Sequence, residues 1–293
     1  MLKRTIICRY YASSFGKEWT VFSRTQLDSA NGTRISYFRF RQLTPIDPHE
    51  LRGKLVLEAG CGMGRFLEIA AQDGAEVFGV DLSQAVESAA KNLERFNNVY
   101  VAQANLFSLP FRPGTFNYIY SFGVLHHTPS PRNAVRELVK FLKPGGKLTI
   151  WVYGKRAPSW VPRPHRVYKA FFRLFPYEIL LKFLKFYVKL ALPLGRLPGI
   201  GRFLRMLIPV PDLVLKGPGQ DGYEDGTPRN LSPLFVFEWA WLNSFDMFTP
   251  KYASQHTFSE VFEWFKDAGL VDIQQMDVRV AVTGTKPKVT SSD

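Results

Sequence analysis

Five short, continuous apolar runs with helical patterns between them are the feature that most constrains this chain. Continuous rather than alternating apolarity is typical of strands that are covered on both faces, and therefore of a parallel sheet. The predicted strands are Lys54–Glu58, Glu76–Val80, Asn98–Ala102, Phe116–Tyr120 and Leu148–Val152, and the predicted helices are Arg65–Gln72, Gln84–Phe96 and Pro131–Leu142. Strand–helix alternation of this kind predicts a doubly wound α/β fold.

Local capping signals support two of these helices. Ser83 is a suitable N-cap for the second helix, and Ser130 for the third, where Pro131 suits the first helical position. The pattern breaks after Tyr153 and resumes near Thr257.

The C-terminal part of the chain predicts one more helix and a strand pair. Thr257 or Ser259 caps a helix that runs to Ala268, and Gly269 ends it. Strands are expected at Leu270–Gln275 and Val278–Thr283. The link between them is too short for a crossover helix, so we expect an antiparallel pair.

These boundaries divide the chain into five expected parts. They are an N-terminal lid or cap segment (1–50), a sheet core (51–153), a basic aromatic-rich insertion (154–252), a C-terminal helix and hairpin that complete the core (253–285), and a disordered tail (286–293). In the first part, Phe15 and Trp19 are candidate lid residues, although aromatic pairs at helical spacing also occur in ordinary cores.

A glycine-rich turn follows the first predicted strand and is the first candidate binding element. Gly60, Gly62 and Gly64 alternate with other residues, which allows a sharp turn and a close approach to a ligand. Arg65 stands where a dinucleotide-binding loop needs its third glycine. Asp81 ends the second strand, 21 residues after Gly60, where a carboxylate can accept from ribose hydroxyls. The alternative is that Asp81 only favours the start of the next helix.

Five stretches in this order resemble one enzyme class. They read VLEAGCGMGRF, VDLS, AQANLFSLPF, FNYIYSFGVLHHTPSP and LKPGGKLTIWVY, densely over Leu55–Tyr153, with a looser match over Thr257–Thr283. They are similar to the class I S-adenosylmethionine-dependent methyltransferases, above all the branch of ubiquinone and menaquinone biosynthesis C-methyltransferases. The resemblance implies a Rossmann-like sheet, mostly parallel with a C-terminal antiparallel hairpin and a basic helical insertion, and S-adenosyl-L-methionine as cofactor.

The resemblance also implies cofactor-binding positions. The methionine end would lie beside the turn, Asp81 would hold the ribose and Leu82 would pack on the adenine. Asn105 stands where relatives often have an aspartate that accepts from the adenine amino group, and Leu106 would offer its backbone amide. Ser121 and Phe122 follow the fourth predicted strand, at the mouth where ligands bind in such sheets, and complete the set. The full set is Glu58, Gly60, Cys61, Gly62, Asp81, Leu82, Asn105, Leu106, Ser121 and Phe122.

The pair His126 and His127 invites a metal-binding or general-base role. The other histidines are scattered at positions 49, 165 and 256, and no cluster of Cys or carboxylate residues accompanies the pair, so we expect no metal. His126 is the candidate catalytic base, and a structural role in the pocket is the alternative.

The positive charge is concentrated in one segment. The formal net charge of the chain is +13. The segment from Trp151 to Lys216 contains thirteen basic residues and only two acids, Glu178 and Asp212, so most of this charge lies there. Only two cysteines occur, which favours a reducing compartment, and neither a secretory signal nor a transmembrane run is recognised. We therefore expect a cytoplasmic protein; an organellar transit peptide is the alternative for the basic N-terminus.

A predicted helix at 177–192 places Lys182, Lys185 and Lys189 on one stripe. Three interpretations remain open for this segment. It is a peripheral membrane element that meets an anionic surface through residues 166–205, a cap over an apolar acceptor pocket, or a helix packed on the sheet domain with a solvated basic face. Nucleic-acid binding is less favoured because no known RNA-binding motif accompanies the charge.

These features predict a methyltransferase that acts on a small-molecule or lipid-like acceptor by direct methyl transfer. The alternatives are an RNA or protein methyltransferase, a nicotinamide-dependent oxidoreductase and a non-catalytic binding protein of the same fold. Arg65 and the antiparallel hairpin argue against the oxidoreductase. The acceptor atom and the oligomeric state do not follow from the sequence.

Overall fold

The computed structural model describes residues 14–155, 172, 175–194, 231–250 and 252–288. The chain divides into two compact units. The sheet unit comprises Ser36–Arg156 and Lys251–Asp293, and the helical unit comprises Met1–Ile35 and Ala157–Pro250. Residues 36–50, which we expected in the N-terminal lid segment, thus belong to the sheet unit. Within the predicted membrane element 166–205, residues 166–171, 173–174 and 195–205 lie outside the described residues, as does most of the predicted tail.

The sheet unit is built on a seven-stranded sheet of order β3-β2-β1-β4-β5-β7-β6. Its strands are β1 (Leu55–Ala59), β2 (Glu76–Asp81), β3 (Val99–Gln103), β4 (Phe116–Phe122), β5 (Leu142–Trp151), β6 (Val271–Gln275) and β7 (Ala281–Thr285). Strands β1 to β5 pair in parallel, and β7 is antiparallel to both of its neighbours. The predicted fold class is confirmed, including its C-terminal antiparallel hairpin.

Three strands differ from their predictions by more than one residue. β4 continues to Phe122, two residues past the predicted end at Tyr120. β5 begins six residues earlier than the run at 148–152, and its pairing with β4 shifts register between Phe116 and Tyr118. β7 begins at Ala281 rather than Val278 because Val280 adopts φ 58° and closes the turn, in which the Ala281 amide donates to the Val278 carbonyl.

The helices of the sheet unit either precede β1 or connect its strands. They are α3 (Ile35–Leu43, whose first residue belongs to the helical unit), α4 (Arg65–Gln72), α5 (Ala85–Asn92), α6 (Pro131–Lys140) and α9 (Phe258–Asp267), with 3₁₀ turns at Pro48–Leu51 and Leu125–His127.

The predicted helix caps have different outcomes. Thr257 forms a capping box with Glu260 at the start of α9, as predicted. Ser130 precedes Pro131 at the start of α6 but makes no side-chain cap hydrogen bond. The N-cap of α5 is Gln84, so the prediction of Ser83 was wrong by one residue. The Ser83 hydroxyl donates to Asp81 and accepts from the Ala85 amide at 3.2 Å.

Alternate residues of the central strands enter two separate cores. On β1 and β4, Leu57 and Ile119 belong to one cluster, and Val56 and Tyr118 to the other. All four are at most 1% exposed. Both faces of the sheet are thus covered, which explains why these strands are apolar without alternation.

The helical unit contains a helix over residues 14–21 (α1), α2 (Asp28–Asn31), α7 (Tyr177–Leu194) and α8 (Pro233–Phe248). The Trp241 indole of α8 donates to the Leu181 carbonyl of α7 at 3.0 Å. The main apolar cluster of the helical unit contains Phe22, Leu180, Leu184, Leu242, Phe245 and Phe248. In the part of the chain that the structure describes, no helix is long and apolar enough to cross a membrane.

Candidate functional site

The glycine turn after β1 holds a conformation that other residues adopt at a cost. Gly60, Gly62 and Gly64 have φ values of 88°, 51° and 94°. A Cβ on Gly60 would lie 2.4 Å from the nearer methyl carbon of Val124. The Gly60 and Cys61 amides both donate to the Val80 carbonyl, which binds the turn to the end of β2. The turn is therefore held by backbone bonds and by the absence of side chains.

Asp81 and Gly62 meet at the carboxyl edge of the sheet. The Gly62 amide donates to Asp81 Oδ2 at 3.0 Å, and the Ser83 amide and hydroxyl donate to Oδ1 at 2.8 and 2.7 Å. Asp81 is half-buried, so its carboxylate remains accessible at the crevice between β1 and β2. Both of our interpretations of Asp81 contribute here, since it orders the start of α5 and faces the glycine turn.

Glu58 is a second carboxyl group beside the turn, and it is 2% exposed. The Tyr120 hydroxyl donates to its Oε2 at 3.3 Å. Burial raises the pKa of Glu58 well above the usual range and outweighs the hydrogen bond from Tyr120, which lowers it; the nearby charge of Asp81 raises the pKa further. Glu58 therefore holds its proton more tightly than an exposed glutamate does.

The residues expected near an adenine lie beyond β2 and β3. Leu82 and Leu106 are half-buried, and Leu106 packs against the first core cluster. Asn105 Oδ1 accepts from the Phe107 amide at 3.0 Å, which closes a small turn. An amide oxygen has two lone pairs, so one lone pair of Asn105 remains for another donor.

Three other predicted positions are occupied by packing. The hydroxyl of Ser121 donates to the Ala59 carbonyl at 2.6 Å and is fully buried. The ring of Phe122 packs between Phe40 and Phe66, at centroid distances of 6.1 and 5.3 Å. Cys61 is buried, and burial raises the pKa of its thiol. These three side chains connect β4 and the turn to the core, and their predicted cofactor contacts stay predictions.

His126 lies in a fully buried aromatic cluster. Its ring stacks on Tyr153 at 3.8 Å between centroids, and the His127 ring is 4.0 Å away. Neither ring nitrogen of His126 has a hydrogen-bond partner among the described residues. Burial lowers the pKa of His126 far below its usual value, and the neighbouring His127 and His256 lower it further. The imidazole is therefore neutral near pH 7.

The histidine pair is fixed by the segment that precedes α9. The Nδ1–H of His127 donates to the Tyr252 carbonyl at 2.6 Å, and the Ser254 amide and hydroxyl both donate to the His126 carbonyl at 3.0 Å. The described residues contain no group of three His, Cys, Asp or Glu that could hold a metal ion.

Sequence reasoning missed two residues that shape this region. Tyr120 is fully buried, and its one hydroxyl proton is shared between Glu58 Oε2 at 3.3 Å and the Phe66 carbonyl at 3.2 Å. Val124 covers Gly60. Tyr120 lies on the same parallel strand register as Glu58, so pairing β1 with β4 residue by residue would have found it.

Residues 57–150 match a family described as a methyltransferase domain. The chain contains a class I methyltransferase domain. The matched range includes the glycine turn, Asp81, Asn105 and the histidine pair, and S-adenosylmethionine is the cofactor of this class, as the resemblance implied.

Curated relatives match the same domain. The ubiquinone biosynthesis O-methyltransferase of Idiomarina loihiensis is 34% identical over 114 residues, covering 38% of this chain and 47% of that protein. The protein of the same name from Coxiella burnetii is 35% identical over 121 residues, covering 40% and 48%. The chain thus spans about half the length of these relatives. Both names specify O-methyltransferases, whereas the sequence resemblance pointed to the C-methyltransferase branch.

A solved structure resembles nearly the whole chain in fold. It is a chain of the complex between the Haloferax volcanii Trm112 methyltransferase activator and a methyltransferase, with a TM-score of 0.51 and 13% identity. It covers 94% of this chain and 98% of that chain. At this identity the likeness concerns the fold alone.

The methyltransferase domain carries groups that fit S-adenosylmethionine. Asp81 Oδ1 already accepts from the Ser83 amide and hydroxyl, whereas Oδ2 accepts only from the Gly62 amide, so Oδ2 keeps an acceptor site for a ribose hydroxyl. The turn presents backbone rather than side chains. Asp81 supplies negative charge at the crevice, and a bound cation would favour ionised Glu58 beside it, which suits a ligand with a sulfonium and an ammonium group.

Proposed function

We propose that this chain transfers a methyl group from S-adenosylmethionine to a small-molecule or lipid-like acceptor. The observation that carries the proposal is the hydrogen bond between the Gly62 amide and the Asp81 carboxylate at the carboxyl edge of the sheet. This bond places the glycine turn beside an accessible carboxylate at the edge of the sheet where ligands bind in parallel sheets.

The names of the curated relatives support the acceptor class. They are ubiquinone biosynthesis O-methyltransferases, which act within the synthesis of a small, lipid-like quinone. We extend to this chain the class of acceptor and not the compound, since the shared region is confined to the methyltransferase domain.

We assign the binding roles along the crevice. Asp81 accepts from the ribose hydroxyls, while the backbone at Gly60 and Gly62 and the side chain of Glu58 border the methionine end. Leu82 and the Leu106 backbone flank the adenine. Asn105 offers one acceptor lone pair to the adenine amino group, a neutral contact that is weaker than the usual carboxylate contact.

The reaction demands little of the protein beyond alignment and exclusion of water. When bound, S-adenosylmethionine supplies a methyl group on a sulfonium that leaves as a neutral thioether. The fixed turn and its backbone bonds provide a rigid frame, and rigid alignment of two reactants is a large part of such catalysis.

His126 is our candidate base for an acceptor that carries a hydroxyl or another proton of high pKa. Its imidazole is neutral, but its ring is fully buried and its pKa lies far below the usual value, so it is a weak base in this state. The role requires the acceptor to come within about 3 Å of a ring nitrogen. If the acceptor does not approach this closely, His126 has a structural role and packs against the Tyr153 ring.

Calorimetry and a turnover assay test the proposal. We expect the full chain to bind S-adenosylmethionine and S-adenosylhomocysteine and not NADH. Incubation with cofactor labelled in the methyl group and with cell extract should move the label to a small organic-soluble product. If the chain binds S-adenosylmethionine but forms no S-adenosylhomocysteine, it is a non-catalytic protein. If the label appears in protein or RNA, the acceptor is a macromolecule and not a small molecule. Absence of cofactor binding would overturn the proposal.

A further inference from the structure

Helix α7 carries two different apolar faces. One is buried within the helical unit and consists of Leu180, Leu184, Val188 and Ala191. The other is exposed and consists of Ile179, Phe183, Phe186, Leu190 and Leu194, which we call the outer stripe. Its members are 42% to 64% exposed and recur every three or four residues, so they lie along one side of the helix.

Lysines border the outer stripe on one side. Lys182, Lys185 and Lys189 are all exposed and also recur every three or four residues. They therefore form a row that runs alongside the outer stripe. Lys185 also lies over the Trp241 ring, 4.8 Å from its centroid. Glu178, the single acid of α7, is paired with Lys17 of the same unit. The exposed face is therefore apolar and cationic, with no free carboxylate of its own helix to neutralise it.

An apolar groove continues this surface at the C-terminal end of α7. Its volume is about 230 Å³, and Lys189, Leu192, Pro193, Pro233, Val236 and Phe237 line it. Leu234, which follows Pro233 at the start of α8, is 66% exposed. Ligand pockets usually measure roughly 300–1,000 Å³, so the groove is better explained as an extension of the apolar surface than as a separate ligand site.

We infer that the outer stripe and its lysines form a docking surface for an anionic phospholipid bilayer. A helix with this arrangement lies in the plane of the interface, with its apolar side chains among the acyl chains and its lysines at the phosphates. At 18 residues the helix is about 27 Å long, and its four charged residues keep it at the surface instead of across the bilayer.

Charge favours lipid over a second copy of this chain. A symmetric contact between two outer stripes would bring lysines near lysines, with no acidic partner on either helix. A bilayer that contains acidic lipids offers both the apolar interior and the phosphates that this surface lacks. The inference is independent of methyl transfer, since it concerns residues of the helical unit alone.

Co-sedimentation of the full chain with vesicles tests the inference. We expect binding to vesicles of phosphatidylcholine mixed with phosphatidylglycerol, and much weaker binding to phosphatidylcholine alone. The triple variant Lys182→Gln, Lys185→Gln and Lys189→Gln should reduce the partition coefficient on the order of a hundredfold, and added salt should act in the same direction. A control that neutralises Lys54, Lys91 and Lys266, exposed lysines of the sheet unit, should bind as the wild type does.

A second pair of variants tests the apolar contribution. Phe186→Ser and Leu190→Ser together should weaken binding to both kinds of vesicle, whereas Tyr100→Ser with Val271→Ser, exposed apolar residues of the sheet unit, should not. All of these side chains are exposed, so circular dichroism and cofactor affinity should remain unchanged and separate this inference from the proposed function.

Three outcomes would overturn the inference. They are a wild-type chain that stays in solution with acidic vesicles, a lysine variant that binds as tightly as the wild type, and a concentration-dependent dimer that Phe186→Ser abolishes without any vesicle binding. The last would assign the outer stripe to a second copy of the chain.

Discussion

The sheet unit and the helical unit treat their large apolar side chains in different ways. Among the described residues, Tyr100 and Val271 are the exposed large apolar residues of the sheet unit, whereas the helical unit exposes Val21, Phe175, Leu234 and the five residues of the outer stripe. Scattered exposed apolar residues are ordinary, but a continuous row of them marks an interaction surface. The comparison indicates that the first unit is complete as a folded core and that the second has a face made for another surface.

The units also differ in where their chemistry lies. The sheet unit concentrates it inside, at Glu58, Asp81 and the buried histidines. The helical unit carries its charge outside, at the exposed lysines of α7. Substitutions in the two units should therefore separate cofactor binding from surface association.

The largest expected effect is the loss of cofactor binding in Asp81→Ala. The change removes the proposed ribose acceptor together with the bonds from the Gly62 amide and from Ser83, and charge-assisted hydrogen bonds are worth about 1.5–3 kcal/mol each. Affinity for S-adenosylmethionine should fall at least a hundredfold by calorimetry. Asp277→Ala, which removes an exposed carboxylate of the same unit, is the matched control; unchanged affinity in Asp81→Ala would disprove the ribose assignment.

The next effect concerns the stability of the glycine turn. Gly60→Ala adds a side chain at φ 88° that overlaps Val124, and we expect a loss of about 3 kcal/mol in the free energy of unfolding. Chemical denaturation measures it. Gly53→Ala, at φ 68° with open space around it, should cost only about 1 kcal/mol. Adding Val124→Ala to Gly60→Ala should recover the difference; if it does not, contact with Val124 is not the cause.

A smaller effect should appear in the pH dependence of stability. The folded state disfavours the charged form of His126, so the unfolded chain binds an extra proton below a pH of about 6.5. Its contribution to stability is therefore complete above that pH and falls by about 1.4 kcal/mol per pH unit below it. His126→Phe keeps an aromatic ring on Tyr153 and should lose this part of the slope between pH 6.5 and 5. An identical slope in both proteins would mean that His126 protonates in the folded state.

The smallest effect is expected for the lysines of α7. Neutralising Lys182, Lys185 and Lys189 together should change the free energy of unfolding by no more than about 1 kcal/mol. Exposed charges contribute little to stability, and the contact of Lys185 with the Trp241 ring accounts for most of the change. Cofactor affinity should not change. A large loss of stability, measured by thermal or chemical denaturation, would mean that these side chains support the helical unit and would weaken the contrast between the two units.

Prediction from the sequence was most successful where a structural feature is encoded by residues close together in the chain. The apolar runs located β1 and β2 within one residue, and the glycine turn and Asp81 were identified from their spacing. It was less successful where contacts with residues distant in the sequence determine the structure. β5 extends beyond its apolar run because its pairing with β4 shifts register, and β7 is displaced because Val280 adopts a left-handed conformation. Ser121 and Phe122 were predicted at the ligand mouth because they follow the predicted fourth strand, yet both lie within β4 and their side chains pack.

The amino-acid sequence by itself determined the doubly wound sheet, the turn that faces Asp81 and the basic helix, because each is encoded by residues close together in the chain. Tertiary structure alone decided which polar groups are buried and which apolar groups are exposed. The neutral state of His126 and the raised pKa of Glu58 arise from neighbours distant in sequence. The outer stripe of α7 is exposed because packing covers one of its two apolar faces, and a periodic pattern cannot specify which face that is.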